Sequence, residues 1–279
     1  MKNITMNNGL SIPQIGYGTW QAAEGEEAVQ GVVNAIKCGY RHIDTAAVYG
    51  NERSVGEGIR QSGIAREELF VTSKVWNDMR GEENCLKAFE ESMEKLGLDY
   101  LDLYLVHWPA NEKYNENWKE LNASTWRGME KILASGRVKS IGVSNFLPQY
   151  LDALMESATV TPAVNQIEFH PGYMQADVIA NSRSHGLQIE AWSPIGRGTL
   201  LQDELLLKLA EKYGKSSAQI CIRWCMQHGT IVLPKSVNAD RMMQNLTVED
   251  FEISAEDMAI IDAMPTTAFS GLDPHTVNF

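Results

Sequence analysis

The chain has 279 residues, with 24 Lys and Arg against 36 Asp and Glu, which gives a formal net charge of −12. Its 44% hydrophobic and 22% charged residues are near the averages of globular chains, so disorder, a collagen-like fibre and a disulfide scaffold are excluded. A surface this acidic predicts no general affinity for nucleic acid or anionic membranes, because both require clustered Lys and Arg. Any anionic ligand must therefore be held by a local group of cations.

The four cysteines, Cys38, Cys85, Cys221 and Cys225, are too few and too scattered for a secreted disulfide framework. Cys221 and Cys225 are four residues apart in a helical pattern, but no His or second Cys pair completes a ligand set. We therefore predict two buried apolar side chains and no metal site. No segment of about 18 apolar residues is present, and the first residues lack an apolar signal core. A reducing, cytoplasmic location without a membrane partner is expected.

Residues 4–6 and 10–12 are predicted to form a β-hairpin around Asn8-Gly9, a pair typical of a type I′ turn. Short apolar strands then alternate with amphipathic helices. The predicted strands end near Gly18, Asp44, Lys74, His107, Ser144, Gln166, Trp192 and Pro234, at intervals of 22 to 42 residues. Eight strand–helix units are what a (β/α)8 TIM barrel requires.

The longest interval, from 192 to 234, contains two helical segments, 203–213 and 217–228, which predicts one or two helices beyond the minimal barrel. No Pro- or Ser-rich linker divides the chain, so a single domain spanning residues 1–279 is expected. An open doubly wound sheet is the competing topology. Its glycine-rich dinucleotide turn is absent, since Gly16-Tyr17-Gly18 lacks the third glycine at the required spacing.

Polar, titratable residues follow three neighbouring strands of the predicted barrel. Asp44, Lys74 and His107 stand at strand ends, and Tyr49 follows Asp44 by five residues. Singly, such residues are often a helix cap, a solvated charge or a buried core histidine. Because the carboxyl ends of barrel strands meet at one mouth, their coincidence predicts a catalytic site.

The chemistry of this group is acid catalysis by a phenol. A free Tyr has a pKa near 10, and a nearby ammonium lowers it by stabilising the phenolate. Lys74 is the predicted ammonium, Asp44 its counter-ion, and His107 a hydrogen-bonding partner for a substrate carbonyl. A reduction also requires a hydride donor, which no side chain supplies, so a nicotinamide cofactor is expected.

Four blocks of sequence resemble the aldo-keto reductase family, and the match extends over essentially the whole chain, from Gly16 to Asn245. They are Gly39-Tyr40-Arg41-His42-Ile43-Asp44-Thr45-Ala46 with Tyr49, Val106-His107-Trp108-Pro109, Gly142-Val143-Ser144-Asn145-Phe146 and Pro234-Lys235-Ser236. All occur in family order. The bacterial and plant members that reduce small aldehydes, α-dicarbonyls and keto sugars are the most similar in appearance.

The resemblance implies a catalytic tetrad of Asp44, Tyr49, Lys74 and His107. It implies that Ser144, Asn145 and Gln166 bind the nicotinamide carboxamide and that Trp192 stacks on its ring. Further cofactor contacts are implied for Gly18, Thr19, Trp20, Asp44, Ser193, Pro194, Ile195, Gly196, Val237 and Asn238. Substrate contacts are expected from Trp20, Tyr49, Trp76, His107 and Trp108.

An anionic ligand on so acidic a chain requires a local group of cations. The predicted group consists of Lys235 and Arg241, together with the hydroxyl of Ser236. Two cations and a hydroxyl within seven residues suit a phosphate monoester, which NADP carries on its adenosine ribose and NAD lacks. Together with the resemblance, this predicts NADP(H) as cofactor. Gln244 stands where the family commonly has Glu, and Asn245 matches the family.

The expected function is NADPH-dependent reduction of a small carbonyl compound. The short segments 197–202 and 265–279 predict an open pocket. A cofactor-binding regulatory or structural protein on the same barrel is the alternative, which the intact tetrad disfavours. The sequence leaves open whether the protein is a monomer or a dimer, and it assigns no role to His170 or His275.

Overall fold

The computed structural model describes residues 2–279. It begins with an antiparallel hairpin of β1 (Asn3–Thr5) and β2 (Ser11–Pro13), in which Ile4 faces Ile12. The expected type I′ turn is wrong. Such a turn needs two successive residues with positive φ, but only Gly9 has one, at 82°. The loop is one residue longer, and Gly9 N donates to Met6 O at 3.0 Å.

Eight parallel strands form the central sheet. They are β3 (Tyr17–Gly18), β4 (His42–Asp44), β5 (Phe70–Val75), β6 (Leu101–Val106), β7 (Val138–Ser144), β8 (Val164–Glu168), β9 (Gln188–Trp192) and β10 (Ile231–Leu233). Each pairs with its neighbour in chain order. The first and last strands meet through a parallel bridge between Ile15 and Val232, so the sheet closes into a barrel.

Ten α-helices lie within residues 2–279. They are α1 (Glu26–Cys38), α2 (Glu52–Ser62), α3 (Glu82–Leu96), α4 (Trp118–Ala134), α5 (Pro148–Met155), α6 (Ala176–Ser184), α7 (Glu204–Tyr213), α8 (Ser217–Gln227), α9 (Ala239–Leu246) and α10 (Ala255–Asp262). This confirms a (β/α)8 barrel with an N-terminal hairpin and two extra helices. Local side chains cap the starts of two of these helices: Asp203 caps α7, and Ser216 with Gln219 forms a capping box on α8.

The main apolar core lies between the barrel and its helices. Trp126 and Trp224 are fully buried there, as are Cys221 and Cys225. A smaller cluster inside the barrel joins Met6 and Ile12 of the hairpin segment to strand residues such as Leu103. The hairpin therefore covers the amino-terminal end and leaves the carboxyl end open. None of the helices within residues 2–279 has the length and apolar character that crossing a bilayer requires.

Candidate active site

A cleft of about 460 Å³ opens at the carboxyl ends of the strands, within the usual size range of ligand pockets. All four residues predicted to be catalytic contribute to it or lie directly beneath it. Asp44, Tyr49 and His107 line its wall, and Lys74 is fully buried below them. The structure thus brings together residues that lie up to 63 positions apart in the sequence, from Asp44 to His107.

Lys74 makes three polar contacts through its ammonium. Its Nζ donates to Asp44 Oδ1 at 2.7 Å, to Thr45 O at 2.9 Å and to the Tyr49 hydroxyl at 3.3 Å. The side chain is 0% exposed and the Asp44 side chain 5%. A buried ion pair without further hydrogen bonds is unstable, so these additional contacts explain how a cation is kept at this depth.

The pKa values follow from the same contacts. Burial alone lowers the pKa of Lys74, but the charge of Asp44 and the hydrogen bond to it leave that pKa above its ordinary value. Burial raises the pKa of Tyr49, and Lys74 lowers it by a smaller amount. Lys74 therefore acts in the predicted direction without bringing the phenol below its usual range. Tyr49 keeps its proton at neutral pH and can donate it.

His107 lies across the cleft floor from Tyr49, with ring centroids 5.7 Å apart. Burial and the nearby charge of Lys74 hold the pKa of His107 well below its ordinary value, so the ring is uncharged. Its Nδ1 has no hydrogen-bond partner among residues 2–279. A neutral imidazole can offer one N–H to a carbonyl oxygen without adding a second cation beside Lys74.

The three side chains predicted to bind a carboxamide share one hydrogen-bond network. Asn145 Nδ2 donates to His107 O and to Ser144 Oγ, each at 3.0 Å. Gln166 Nε2 donates to Asp44 Oδ2 at 3.0 Å and to Glu190 Oε2 at 2.6 Å. Both amide nitrogens are thus fully used, and the amide oxygens retain acceptor capacity beside the cleft.

Trp192 and the loop after it form one rim of the cleft. The indole Nε1 donates to Asn145 Oδ1 at 2.9 Å, which fixes the ring. Ser193, Pro194 and Ile195 line the cleft, whereas Gly196 is outside the lining. Ser193 and Arg197 both have φ of 53°, a backbone region that is strained for residues other than glycine and that recurs at functional sites.

The cations predicted to bind phosphate stand at the end of β10 and the start of α9. Lys235 is half-buried and lines the cleft, whereas Arg241 is exposed on α9. Neither has a carboxylate within salt-bridge distance in the described chain. Ser236, Val237, Asn238, Gln244 and Asn245 lie outside the cleft lining on the same segment. Asn238 caps α9 by accepting from Arg241 N at 2.9 Å.

Aromatic rings form the opposite wall. Trp20, Trp76 and Trp108 line it as predicted. Gly18 lines the cleft beside them, and Thr19 is buried beneath, donating to Asp44 O at 3.0 Å. The short tail departs from expectation: Phe279 enters the mouth and stacks on Trp76 with ring centroids 5.4 Å apart. The pocket is therefore narrower than segment length alone predicted.

Sequence reasoning assigned no role to two buried titratable residues beneath the cleft. Glu190 and His42 are each 0% exposed and lie 3.5 Å apart. Each stands two positions before a predicted site residue, Trp192 and Asp44, and the period-two alternation of a strand therefore directs it to the same face. That alternation was the available signal. Phe279 had no local signal, because its place depends on the path of the tail.

The histidines without a predicted role lie outside the cleft lining. His170 is buried, with Nε2 3.3 Å from Glu168 Oε1. His275 Nδ1 lies 2.9 Å from the Tyr150 hydroxyl and ties the tail to α5. Both have structural contacts that account for them.

Comparison with known proteins places the chain in a family. A profile of the Aldo/keto reductase family matches residues 14–265. Glyoxal reductase from Bacillus subtilis (strain 168) is 47% identical over 276 residues, which are 99% of this chain and 97% of that protein. The chain belongs to the aldo/keto reductase family. It is an oxidoreductase that acts on carbonyl groups.

Solved structures agree with this assignment along the whole chain. A mutant of Gox0644 in complex with NADPH has a TM-score of 0.92 at 40% identity and covers 100% of this chain and 99% of that one. The aldo-keto reductase of Bombyx mori in complex with NADP has a TM-score of 0.88 at 37% identity, with 97% and 95% covered.

Proposed function

We propose that this protein reduces small aldehydes, α-dicarbonyls or keto sugars to alcohols, with NADPH as the reductant. The observation that carries the proposal is the 3.3 Å contact between the Lys74 ammonium and the Tyr49 hydroxyl at the cleft floor. Protonation of a carbonyl oxygen during reduction requires an acid at that oxygen. Tyr49 is a protonated phenol that faces the cleft and has a cation behind it.

The residues around the cleft fit a nicotinamide cofactor. Gln166 and Asn145 present amide oxygens that can accept from a carboxamide NH₂, and Trp192 offers a fixed aromatic face. Lys235 and Arg241 are cations with no carboxylate at salt-bridge distance among residues 2–279, which suits a phosphate. Two structural relatives contain NADPH or NADP. When bound, this cofactor supplies the hydride.

In the proposed reaction Tyr49 donates its proton to the carbonyl oxygen as that oxygen gains negative charge. Lys74 stabilises the resulting phenolate from 3.3 Å, and Asp44 keeps Lys74 charged. His107, uncharged, hydrogen-bonds the same carbonyl oxygen and fixes its direction. The side chains of Trp20, Trp76 and Trp108 give the reacting atoms an apolar boundary.

The proposal is tested by Tyr49→Phe, which removes the proton donor and keeps the ring. Turnover of methylglyoxal, followed by loss of NADPH absorbance, should fall by at least about a hundred-fold, while the Kd for NADPH stays within about two-fold. Tyr104→Phe is the control, because Tyr104 is a 0% exposed tyrosine whose hydroxyl, unlike that of Tyr49, has no hydrogen-bond partner among residues 2–279. That hydroxyl lies outside the cleft lining.

Two results would contradict the assignment. Turnover by Tyr49→Phe near the wild-type rate would show that another group supplies the proton. A wild-type protein that binds NADPH but reduces no member of a panel of aldehydes, α-dicarbonyls and keto sugars would favour the regulatory alternative.

A further inference from the structure

Glu190 is a buried carboxyl group for which the proposed reaction has no role. It stands on β9, is 0% exposed and accepts from Gln166 Nε2 through Oε2 at 2.6 Å. Its Oε1 has no hydrogen-bond partner among residues 2–279. A buried polar group with an unused atom is costly to fold, so its presence directly behind the site calls for a physical reason.

The contact with Gln166 determines how that amide is oriented. Gln166 Nε2 lies 3.0 Å from Asp44 Oδ2 and 2.6 Å from Glu190 Oε2. An amide NH₂ has two hydrogens, and each has one carboxyl acceptor here. If the Gln166 amide were flipped, its oxygen would take the place of Nε2 and face the Asp44 carboxylate with no hydrogen between the two oxygens. Glu190 and Asp44 together therefore hold the Gln166 side-chain amide so that its oxygen is the atom available to the cleft.

The surroundings of Glu190 favour its uncharged form. Asp44 on β4 is an anion near it, and Lys74 on β5 is already paired with that anion. His42 on β4 lies 3.5 Å from Oε1 and is uncharged, because burial lowers its pKa to about 3. The facing residue on β10, Ile231, is apolar. Burial and the charge of Asp44 raise the pKa of Glu190 to about 8.

We infer that Glu190 is a positioning residue of the reductase: its carboxyl group accepts from Gln166 Nε2 and so holds the Gln166 amide oxygen toward the cofactor carboxamide. The inference rests on the proposed function, since it assigns a cofactor to the cleft. A neutral acid supplies the acceptor without adding a second negative charge beside Asp44. An ionised Glu190 would raise the pKa of Tyr49 further and make it a weaker acid.

The first test measures binding of NADP⁺ by isothermal titration calorimetry at pH 7. Glu190→Met removes the acceptor at similar volume, and the Kd should rise about ten-fold. Glu190→Gln restores an acceptor oxygen without a charge, so its Kd should return to within about two-fold of the wild type. Equal affinity of Glu190→Met and wild type, or equal weakness of Glu190→Gln and Glu190→Met, would overturn the assignment.

Glu52→Gln is the matched control for both variants. Glu52 is 2% exposed, and its Oε1 accepts from Ser73 Oγ at 2.6 Å, whereas its Oε2 has no hydrogen-bond partner among residues 2–279. It resembles Glu190 in burial and bonding but does not contact Gln166. Glu52→Gln should bind NADP⁺ as the wild type does. If Glu52→Gln loses as much affinity for NADP⁺ as the Glu190 variant, the effect at Glu190 is general destabilisation and not positioning of Gln166.

The second test needs no cofactor. A carboxyl group whose pKa rises from 4.5 to about 8 on folding contributes stability that is fully present below pH 4.5 and is lost as pH rises through 8. Glu190→Gln cannot titrate. Between pH 5 and pH 9 the wild-type Tm should therefore fall by about 5 °C or more relative to that variant. Parallel curves would show that Glu190 is not held neutral.

The outcomes separate this inference from the proposed function. A wild-type protein that fails to bind NADP⁺ contradicts the proposed function. A wild-type protein that binds and reduces carbonyls, with Glu190→Met indistinguishable from it, contradicts only the role of Glu190.

Discussion

The buried ion pair beneath the cleft gives a prediction with a defined magnitude. Lys74→Met removes the cation and its three hydrogen bonds while keeping most of the side-chain volume. The carboxylate of Asp44, a residue 3% exposed, then retains one side-chain donor among residues 2–279, Gln166 Nε2 at 3.0 Å. Removing one partner of a buried pair costs about 3–5 kcal/mol, which corresponds to a fall in Tm of roughly 10 °C for a chain of this size.

The double variant Asp44→Asn with Lys74→Met removes the uncompensated charge as well. Its free energy of unfolding should recover about half or more of the loss, because a buried pair replaced as a unit leaves no isolated ion. The measurement is urea unfolding followed by circular dichroism at pH 7. Pairing with Asp44 raises the pKa of Lys74 above its ordinary 10.5 although burial opposes it. The stability that the Lys74–Asp44 ion pair contributes is therefore fully present at pH 7 and at pH 9. It is lost only as pH rises through the raised pKa of Lys74.

Lys87→Met is the control for this measurement. Lys87 pairs with Glu91 at 3.9 Å on the surface, where the side chains are 70% and 48% exposed, so its loss should change stability by less than about 1 kcal/mol. Two results would refute the reasoning. One is a Lys74→Met loss as small as that of the control. The other is a double variant as unstable as the sum of its single variants.

Two further predictions concern the ends of the cleft. Lys235→Ala should weaken binding of NADPH by about ten-fold or more and of NADH by much less, measured by calorimetry with the exposed Lys208→Ala as control; equal losses for both cofactors would place the phosphate elsewhere. Phe279→Ala removes the ring stacked on Trp76, so the KM for small carbonyls should rise by about two- to ten-fold with little change in kcat. Phe269→Ala, whose ring is 38% exposed outside the cleft, is its control, and an unchanged KM would exclude the tail from the substrate wall.

The elements of the fold were accessible because their signals are local. Strand ends predicted near Asp44, Ser144 and Trp192 coincide with the last residues of β4, β7 and β9. Apolar runs, helix caps and the number of units depend on residues a few positions apart, so the order of elements could be derived without tertiary information. The hairpin turn was wrong because Asn8-Gly9 is compatible with more than one loop length, and the strand register selects the longer loop.

Within the site, the local sequence indicates which residues meet, whereas the tertiary structure decides their pKa values and contacts. The sequence alone placed Asp44, Tyr49, Lys74 and His107 at one mouth, because parallel barrel strands bring their carboxyl ends together. The balance between burial and charge at Tyr49, the path that carries Phe279 onto Trp76, and the acceptors shared by Gln166 are decided by atoms distant in sequence. Only the tertiary structure fixes those, since desolvation and hydrogen bonding depend on which groups surround an atom in space.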